Sequence, residues 1–321
     1  MGGNQSKQPQ RLDPSSAEAG QISTKSEEKI EKDTKEHKMK IEKLLTKHNL
    51  LVKAEHIMMN DNPICNCTTG TIHSGTLNDE PVIIKMLSTP LVNDRAFYNE
   101  LEEMISLSDR HILPLVGASL DPPILITPHL RNGDLRSRLY GPNKVSYTWE
   151  QKKDLLITVA KAVERIQSKS SKPHNLHSAI SSPHILILDD GSPCLGGFGC
   201  SIRLRLLTPP DEQGRSPIKI PNLSWTPPEI IGELYLAAQS IDSYSFGILL
   251  YETACELEPY ANISQKELIQ HMLEDPIRPT IPDTLPYGTP EEVIDLIQAC
   301  WSGIPEDRPT MPEIIKQLQK M

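Results

Sequence analysis

Three stretches of this 321-residue chain carry side chains whose types and spacing could do chemistry. The first, from His177 to Gly199, reads His-Ser-Ala-Ile-Ser-Ser-Pro-His-Ile-Leu-Ile-Leu-Asp-Asp-Gly-Ser-Pro-Cys-Leu-Gly-Gly-Phe-Gly. Of its two imidazoles, His184 has the chemistry of a metal ligand. One imidazole without a carboxylate partner is a poor site for Mg²⁺, which takes oxygen ligands, so His184 is expected to pack or hydrogen-bond. The second stretch, Cys65-Asn66-Cys67, offers two thiols. Zinc needs four ligands, no partner set stands elsewhere in the sequence, and no metal is expected. The third is Met1-Gly2-Gly3-Asn4-Gln5-Ser6, which matches the N-myristoylation pattern at the one position where Gly2 can present its amine to an acyl group.

Local pattern places these residues on elements. In the first stretch, Ile185–Leu188 and Cys194–Leu195 flank the turn Asp189-Asp190-Gly191, which predicts a hairpin with a loop before it and a glycine-rich loop after it. Upstream, Leu155, Leu156, Val159, Ala160, Val163 and Ile166 recur at three and four, predicting a buried helix over 149–168. Residues 1–25 are rich in Gln, Pro, Ser and Ala and predict a disordered tail. Residues 26–54 alternate Lys and Glu in the favourable i,i+4 order around Ile30, Ile41, Leu44, Leu45 and Leu51. They predict a charged helix with a thin apolar stripe. It lacks sustained heptads, so docking on its own domain is expected; a partner-binding or coiled-coil helix is the alternative.

Composition narrows the class. The net charge of −9 disfavours nucleic acid as a partner. Residues 1–50 are net +2, from 10 Lys/Arg against 8 Asp/Glu. The remainder is net −11, from 23 against 34. Six scattered cysteines fit reduced thiols in the cytosol. Neither a spanning apolar run nor a secretory signal is read.

Motifs in the right order resemble a protein kinase from about residue 55 to 320. The stretch His177–Gly199 resembles the catalytic loop, hairpin and metal-binding loop. Val82-Ile83-Ile84-Lys85 resembles the strand that carries the nucleotide lysine, and Glu100 falls where its helix partner belongs. Cys65 to Gly75 resembles the glycine-rich loop, with cysteines at its first two glycine positions and only Gly70 kept. Trp225-Thr226-Pro227-Pro228-Glu229, Ser240-Ile241-Asp242-Ser243-Tyr244-Ser245-Phe246-Gly247 and Arg308-Pro309-Thr310 resemble C-lobe anchors. These look most like the tyrosine-kinase-like group of serine/threonine kinases.

The resemblance implies an α+β, bilobal kinase-like fold over 55–320, with a β-rich N-lobe and a helical C-lobe. It implies structural roles for His177, Phe198, Glu229, Asp242 and Arg308, with a Glu229–Arg308 pair and an inter-lobe spine of Met104, Leu115, His177 and Phe198. A remnant nucleotide pocket would comprise Lys85, Glu100, Gly70, Ile83 and Thr127. Ile83 stands where alanine packs on adenine, and overfilling a packed slot costs about 1–3 kcal/mol. Ala179 stands at the catalytic aspartate, His184 at the metal-binding asparagine and Gly197 at the metal-binding aspartate. The expectation is therefore a pseudokinase that is not an enzyme, with no metal and at most weak, metal-independent ATP binding. It would act as a scaffold or allosteric regulator of a protein partner, a kinase or signalling complex. A nucleotide sensor and a residual non-standard kinase are the alternatives. The myristate on Gly2 implies a cytoplasmic protein held at the inner face of a membrane.

Overall fold

The computed structural model describes residues 35–67, 70–87, 94–107, 109–142, 144–168, 176–198, 222–232 and 239–321. The side chains of Cys67, 94–96, Asn99, Glu100 and Glu103 are outside that description. So are the expected lipidation position Gly2, the expected tail over 1–25 and residues 26–34 of the expected charged helix.

The first described element, α1, is helical over 35–47 and buries Ile41 and Leu45 completely. These residues lie four apart, one above the other on a single helix face. The helix expected to reach 54 stops at 47. Asn49 adopts φ 57°, and the Leu50 amide closes back onto the Leu45 carbonyl at 2.8 Å. A left-handed Asn after the last turn is a common helix terminator. Beyond it the chain is extended, and Leu51 bridges in parallel to Ala118.

Six short strands follow: β1 (Ile57–Met59), β2 (Cys65–Cys67), β3 (Gly70–Leu77), β4 (Glu80–Leu87), β5 (Gly117–Leu120) and β6 (Pro123–Pro128). They form one antiparallel sheet in the order β1-β3-β4-β6-β5, with β2 beside β3. Asn78 and Asp79, both at positive φ, close the two-residue β3–β4 hairpin. That backbone twist matches right-twisted strands.

Alternation along β4 sorts its side chains. Val82 and Ile84 join Ile124 and Ile126 in a small core on one face, whereas Ile83 and Lys85 point to the other. On this second face Leu125, opposite Lys85, belongs to the main core. Between β4 and β5, helix α2 (Asp94–Ser106) buries Phe97, Tyr98, Leu101 and Met104 at helical spacing.

The C-lobe begins with α3 (Leu135–Leu139), whose first turn is capped by the Asp134 carboxylate accepting from the Ser137 amide. Helix α4 (Trp149–Ser168) buries the predicted stripe. The hairpin of β7 (Ile185–Ile187) and β8 (Pro193–Leu195) lies where the sequence predicts it. Then come α5 (Pro228–Ile231), α6 (Ser240–Cys255), α7 (Gln265–Glu274), α8 (Glu292–Cys300) and α9 (Met311–Leu318). Helix α6 is buried on every side from Ile241 to Cys255, which makes it the axis of the lobe. Full capping boxes start α7 at Ser264/Glu267 and α9 at Thr310/Glu313.

One apolar cluster runs from Ile41 and Leu45 through α2, α4 and α6 to Leu318. It joins the sheet-rich N-lobe to the helical C-lobe, the α+β bilobal arrangement expected.

Candidate functional site

The loop from His177 to Phe198 lies between the lobes and is held from below by one buried carboxylate. Asp242, in the first turn of α6, accepts from the backbone amides of His177 and Ser178 at 3.0 and 2.8 Å and from the Gln167 side chain at 3.0 Å. Ser178 takes φ 58° there, so the carboxylate fixes a left-handed corner at the start of the loop. The His177 ring is buried, its Nε2 donates to the Gly196 carbonyl at 2.9 Å, and it meets Phe198 edge-on at 5.1 Å. Burial lowers its pKa to about 3, with the neighbouring His184 charge adding to the shift, so the ring is neutral at every physiological pH. Met104, Leu115 and Phe198 share the main apolar cluster. His177 and Phe198 thus tie the loop to both lobes.

Ala179, His184 and Gly197 form a closed knot. His184 Nδ1 lies 2.7 Å from the Ala179 carbonyl and 3.1 Å from Ser181 Oγ. The carbonyl can only accept, so the ring nitrogen donates to it. The imidazole covers Gly197, which sits at φ 87°. A Cβ added at Gly197 would lie 2.5 Å from His184 Cγ and 2.6 Å from Nδ1, far inside contact distance. The ring therefore fills the space into which a side chain at 197 would project. Desolvation lowers the His184 pKa; the bond to the Ala179 carbonyl opposes this, the Lys85 charge lowers it further and Asp134 raises it.

Gly197→Ala is expected to destabilise the fold by about 1–3 kcal/mol, through overpacking and a positive φ. Measured in urea against His184→Ala alone, the same Gly197→Ala change should cost less, because the overpacking is gone and only the positive-φ strain remains.

Lys85 is half-buried in the middle of β4 and near enough to His184 to act on its ring. Its expected partner Glu100 lies on α2, with its side chain outside the description. Ile83, on the same face of β4, is half-buried and in register with Thr127. Gly70 stands at the start of β3, where the sheet itself requires a glycine. At φ 155° it starts β3 so close to β4 that a Cβ would lie 1.9 Å from the Met86 carbonyl oxygen. Its glycine is required by strand packing. Cys65 is exposed on β2.

The C-lobe anchors meet as a second cluster. Arg308 donates Nη1 to Glu229 Oε1 at 2.6 Å and Nη2 to Oε2 at 3.0 Å. Its Nε and Nη1 also donate to the Ser302 and Ser240 carbonyls, and its guanidinium lies 5.1 Å from the Tyr244 ring centroid. Sequence reasoning missed a third node. Glu252, buried in α6, accepts from Trp225 Nε1 at 2.6 Å, Ser182 Oγ at 2.6 Å and the Tyr140 hydroxyl. It therefore joins α3, the loop, the segment before α5 and α6. The signal was present: a lone acid in the run Ile248-Leu249-Leu250-Tyr251-Glu252. Burial raises its pKa to about 7, against the pull of its three hydrogen bonds.

Kinase folds act on a nucleotide triphosphate with divalent metal. Ala179 and Gly197 bring no ligand and His184 is engaged with a carbonyl, so that metal does not fit the described residues of this loop. Among the described residues no group of three or more His, Cys, Asp or Glu could hold a metal ion.

The model of the protein tyrosine and serine/threonine kinase family matches residues 58–318. A Dictyostelium discoideum serine/threonine-protein kinase, roco11, is 27% identical over 296 residues, covering 84% of this chain and 19% of that protein. Another from the same organism, drkB, is 27% identical over 258 residues, covering 78% of this chain and 35% of the relative. A serine/threonine-protein kinase/receptor, R831, of Acanthamoeba polyphaga mimivirus is 29% identical over 237 residues, or 73% and 13% of the two chains. The chain thus spans little more than a third, at most, of these relatives. Each of them is named as a kinase, and this overturns the expectation, drawn from Ala179, His184 and Gly197, that the chain is not an enzyme. With a sheet-rich lobe over a helical one and the matched span covering both, the chain belongs to the protein tyrosine and serine/threonine kinase family.

Proposed function

We propose that this kinase-family chain is a signalling regulator that binds and controls a protein partner, a kinase or signalling complex. A myristoyl group on Gly2 would bring it to the inner face of a membrane from the cytoplasm. The observation that carries the reading is the knot at the loop. Where the fold handles a metal–triphosphate pair, His184 is folded onto Gly197 and bonded to Ala179, while the anchors Asp242, Glu229 and Arg308 remain fully engaged. A loop packed shut on rigid anchors suits a surface that a partner reads. One myristoyl chain gives only marginal membrane binding, so the partner or the charged N-terminal segment supplies the rest.

A second reading is serine/threonine phosphoryl transfer by a non-standard set of groups. The names of the relatives and the retained Lys85 favour it.

A thermal-shift titration of the full chain with ATP and ADP, with and without Mg²⁺ or Mn²⁺, separates the two. A ligand bound only to the folded state adds RT ln(1 + [L]/Kd), about 2.7 kcal/mol at a hundredfold excess over Kd. The regulator reading expects either no shift or a metal-independent shift that Lys85→Met removes. A shift that strictly requires metal, with labelled phosphate transferred by the wild type and not by Lys85→Met, would establish the second reading instead.

A further inference from the structure

The outer face of α1 is basic. Residues 35–53 carry six lysines against two glutamates. Lys43 stands two positions from the fully buried Ile41, about 200° round the helix, so burying Ile41 turns Lys43 to solvent. Lys40, Lys43 and Lys47 follow one another at i, i+3 and i+7 on that face. All three are exposed, as are Lys35 and Met39. Lys40 is engaged with Glu102 at 2.7 Å. Lys35, Lys43 and Lys47 make no ion pair among the described residues.

This face is part of the folded domain. Ile41 and Leu45 lie in the main core, Leu44 and Leu50 pack against it, and the Val52 amide donates to the Ala118 carbonyl at 2.9 Å. The chain after residue 50 has the opposite sign, net −11 from 23 Lys/Arg against 34 Asp/Glu. At physiological salt a charge is felt over only about 8 Å. A surface laid against α1 therefore meets its lysines and is screened from the acidic bulk of the domain. The expected acyl site Gly2 belongs to the same N-terminal segment, and a single myristoyl chain anchors stably only with a second signal such as a basic patch. Each lysine near anionic headgroups tightens membrane binding about fivefold.

We propose that the exposed basic face of α1, centred on Lys43 and Lys47, is a docking surface for anionic phospholipid headgroups. Because α1 is anchored in the core, this contact sets which side of the kinase domain faces the membrane. The inference deepens the membrane part of the function proposed above and rests on it.

Co-sedimentation of the full chain with phosphatidylcholine vesicles, with and without phosphatidylserine, tests it on unacylated and N-myristoylated protein. The unacylated chain is expected to bind only the vesicles that contain phosphatidylserine and to lose that binding as salt is raised. Lys35→Gln, Lys43→Gln and Lys47→Gln together should weaken it by about tenfold or more, and Glu36→Lys should tighten it. All four side chains are exposed, so the fold is not at stake. Lys266→Gln, Lys316→Gln and Lys320→Gln make the same change of net charge on α7, on α9 and just after it, and should leave binding unchanged. Equal losses from the two triple variants would mean that net charge alone is read, and would overturn the proposal. So would an unacylated chain that ignores phosphatidylserine vesicles but binds polyglutamate through the same lysines, since the face would then fit an acidic protein. The acylated arm keeps the two readings apart. If myristoylated protein is held on phosphatidylcholine vesicles and the α1 substitutions change nothing on phosphatidylserine, the acyl anchor stands and the basic face fails. If an N-myristoyltransferase leaves Gly2 unmodified while the lysine-dependent binding persists, the acyl anchor fails and the basic face stands.

Discussion

Replacing Arg308 with alanine is expected to cost about 3–5 kcal/mol of folding stability, the range for removing one partner of a buried ion pair. The geometry explains the size. The Arg308 side chain is fully buried, and its two terminal nitrogens grip both oxygens of Glu229. Its loss leaves that carboxylate in protein without a cation and also frees the Ser302 and Ser240 carbonyls. The planar fork is specific to arginine, so Arg308→Lys should recover less than half of the loss. Urea unfolding of the full chain checks both variants. A loss below about 1 kcal/mol for Arg308→Ala would show that the α5 end and the loop before α9 are not held by this pair.

The second large effect is a pH dependence set by Glu252. Its pKa rises from 4.5 to about 7 on folding, so between those values the folded state holds a proton that the unfolded state has lost. Stability from this group is therefore greatest at low pH and declines as pH rises from about 4.5 to 7. The full change is about 3 kcal/mol, from 1.36 kcal/mol per pKa unit. His177 and His184 act in the opposite sense: both pKa values are lowered on folding, so acidification below about 6.5 favours the unfolded chain. The clean measurement is a difference. Wild type minus Glu252→Gln, by urea unfolding at pH 5 and pH 8, should show wild type losing about 2.5 kcal/mol relative to the variant on going to pH 8, since part of the full change lies below pH 5. A difference that does not change with pH means that Glu252 is ionised in both states. The charged group near it is Arg136 of α3, itself paired with Glu258, while the neutral Tyr140 hydroxyl just after α3 donates to it.

Much of the fold was legible in the chain because its signals are local or ordered. The 149–168 stripe repeats at helical spacing, the Asp-Asp-Gly turn sits between two apolar runs, and anchors such as Trp225, Asp242 and Arg308 occur in one sequence order. Each declares itself within a few residues or by its place in a series. The types at 179, 184 and 197 were equally plain, and they stated which charges this loop lacks.

What those residues do together was decided only in three dimensions. That His184 covers Gly197 follows from a turn between residues thirteen apart, and no periodicity encodes it. The need for Gly70 comes from the backbone of the adjacent strand, which reaches it only through the sheet register. Glu252 follows a short apolar run in the chain, and only the fold brings Tyr140, Ser182 and Trp225, from three other segments, onto it. The charged N-terminal helix had two readings in sequence because an amphipathic stripe states that it will be covered without stating by what. The main apolar core supplied the cover, with His37 against Tyr98 and Lys40 paired to Glu102 setting α1 beside α2, and Asn49 ended the helix early enough for the chain to turn onto β5. Sequence fixes what a residue can do within its own turn or strand; contacts between distant segments depend on packing, which only the folded chain resolves.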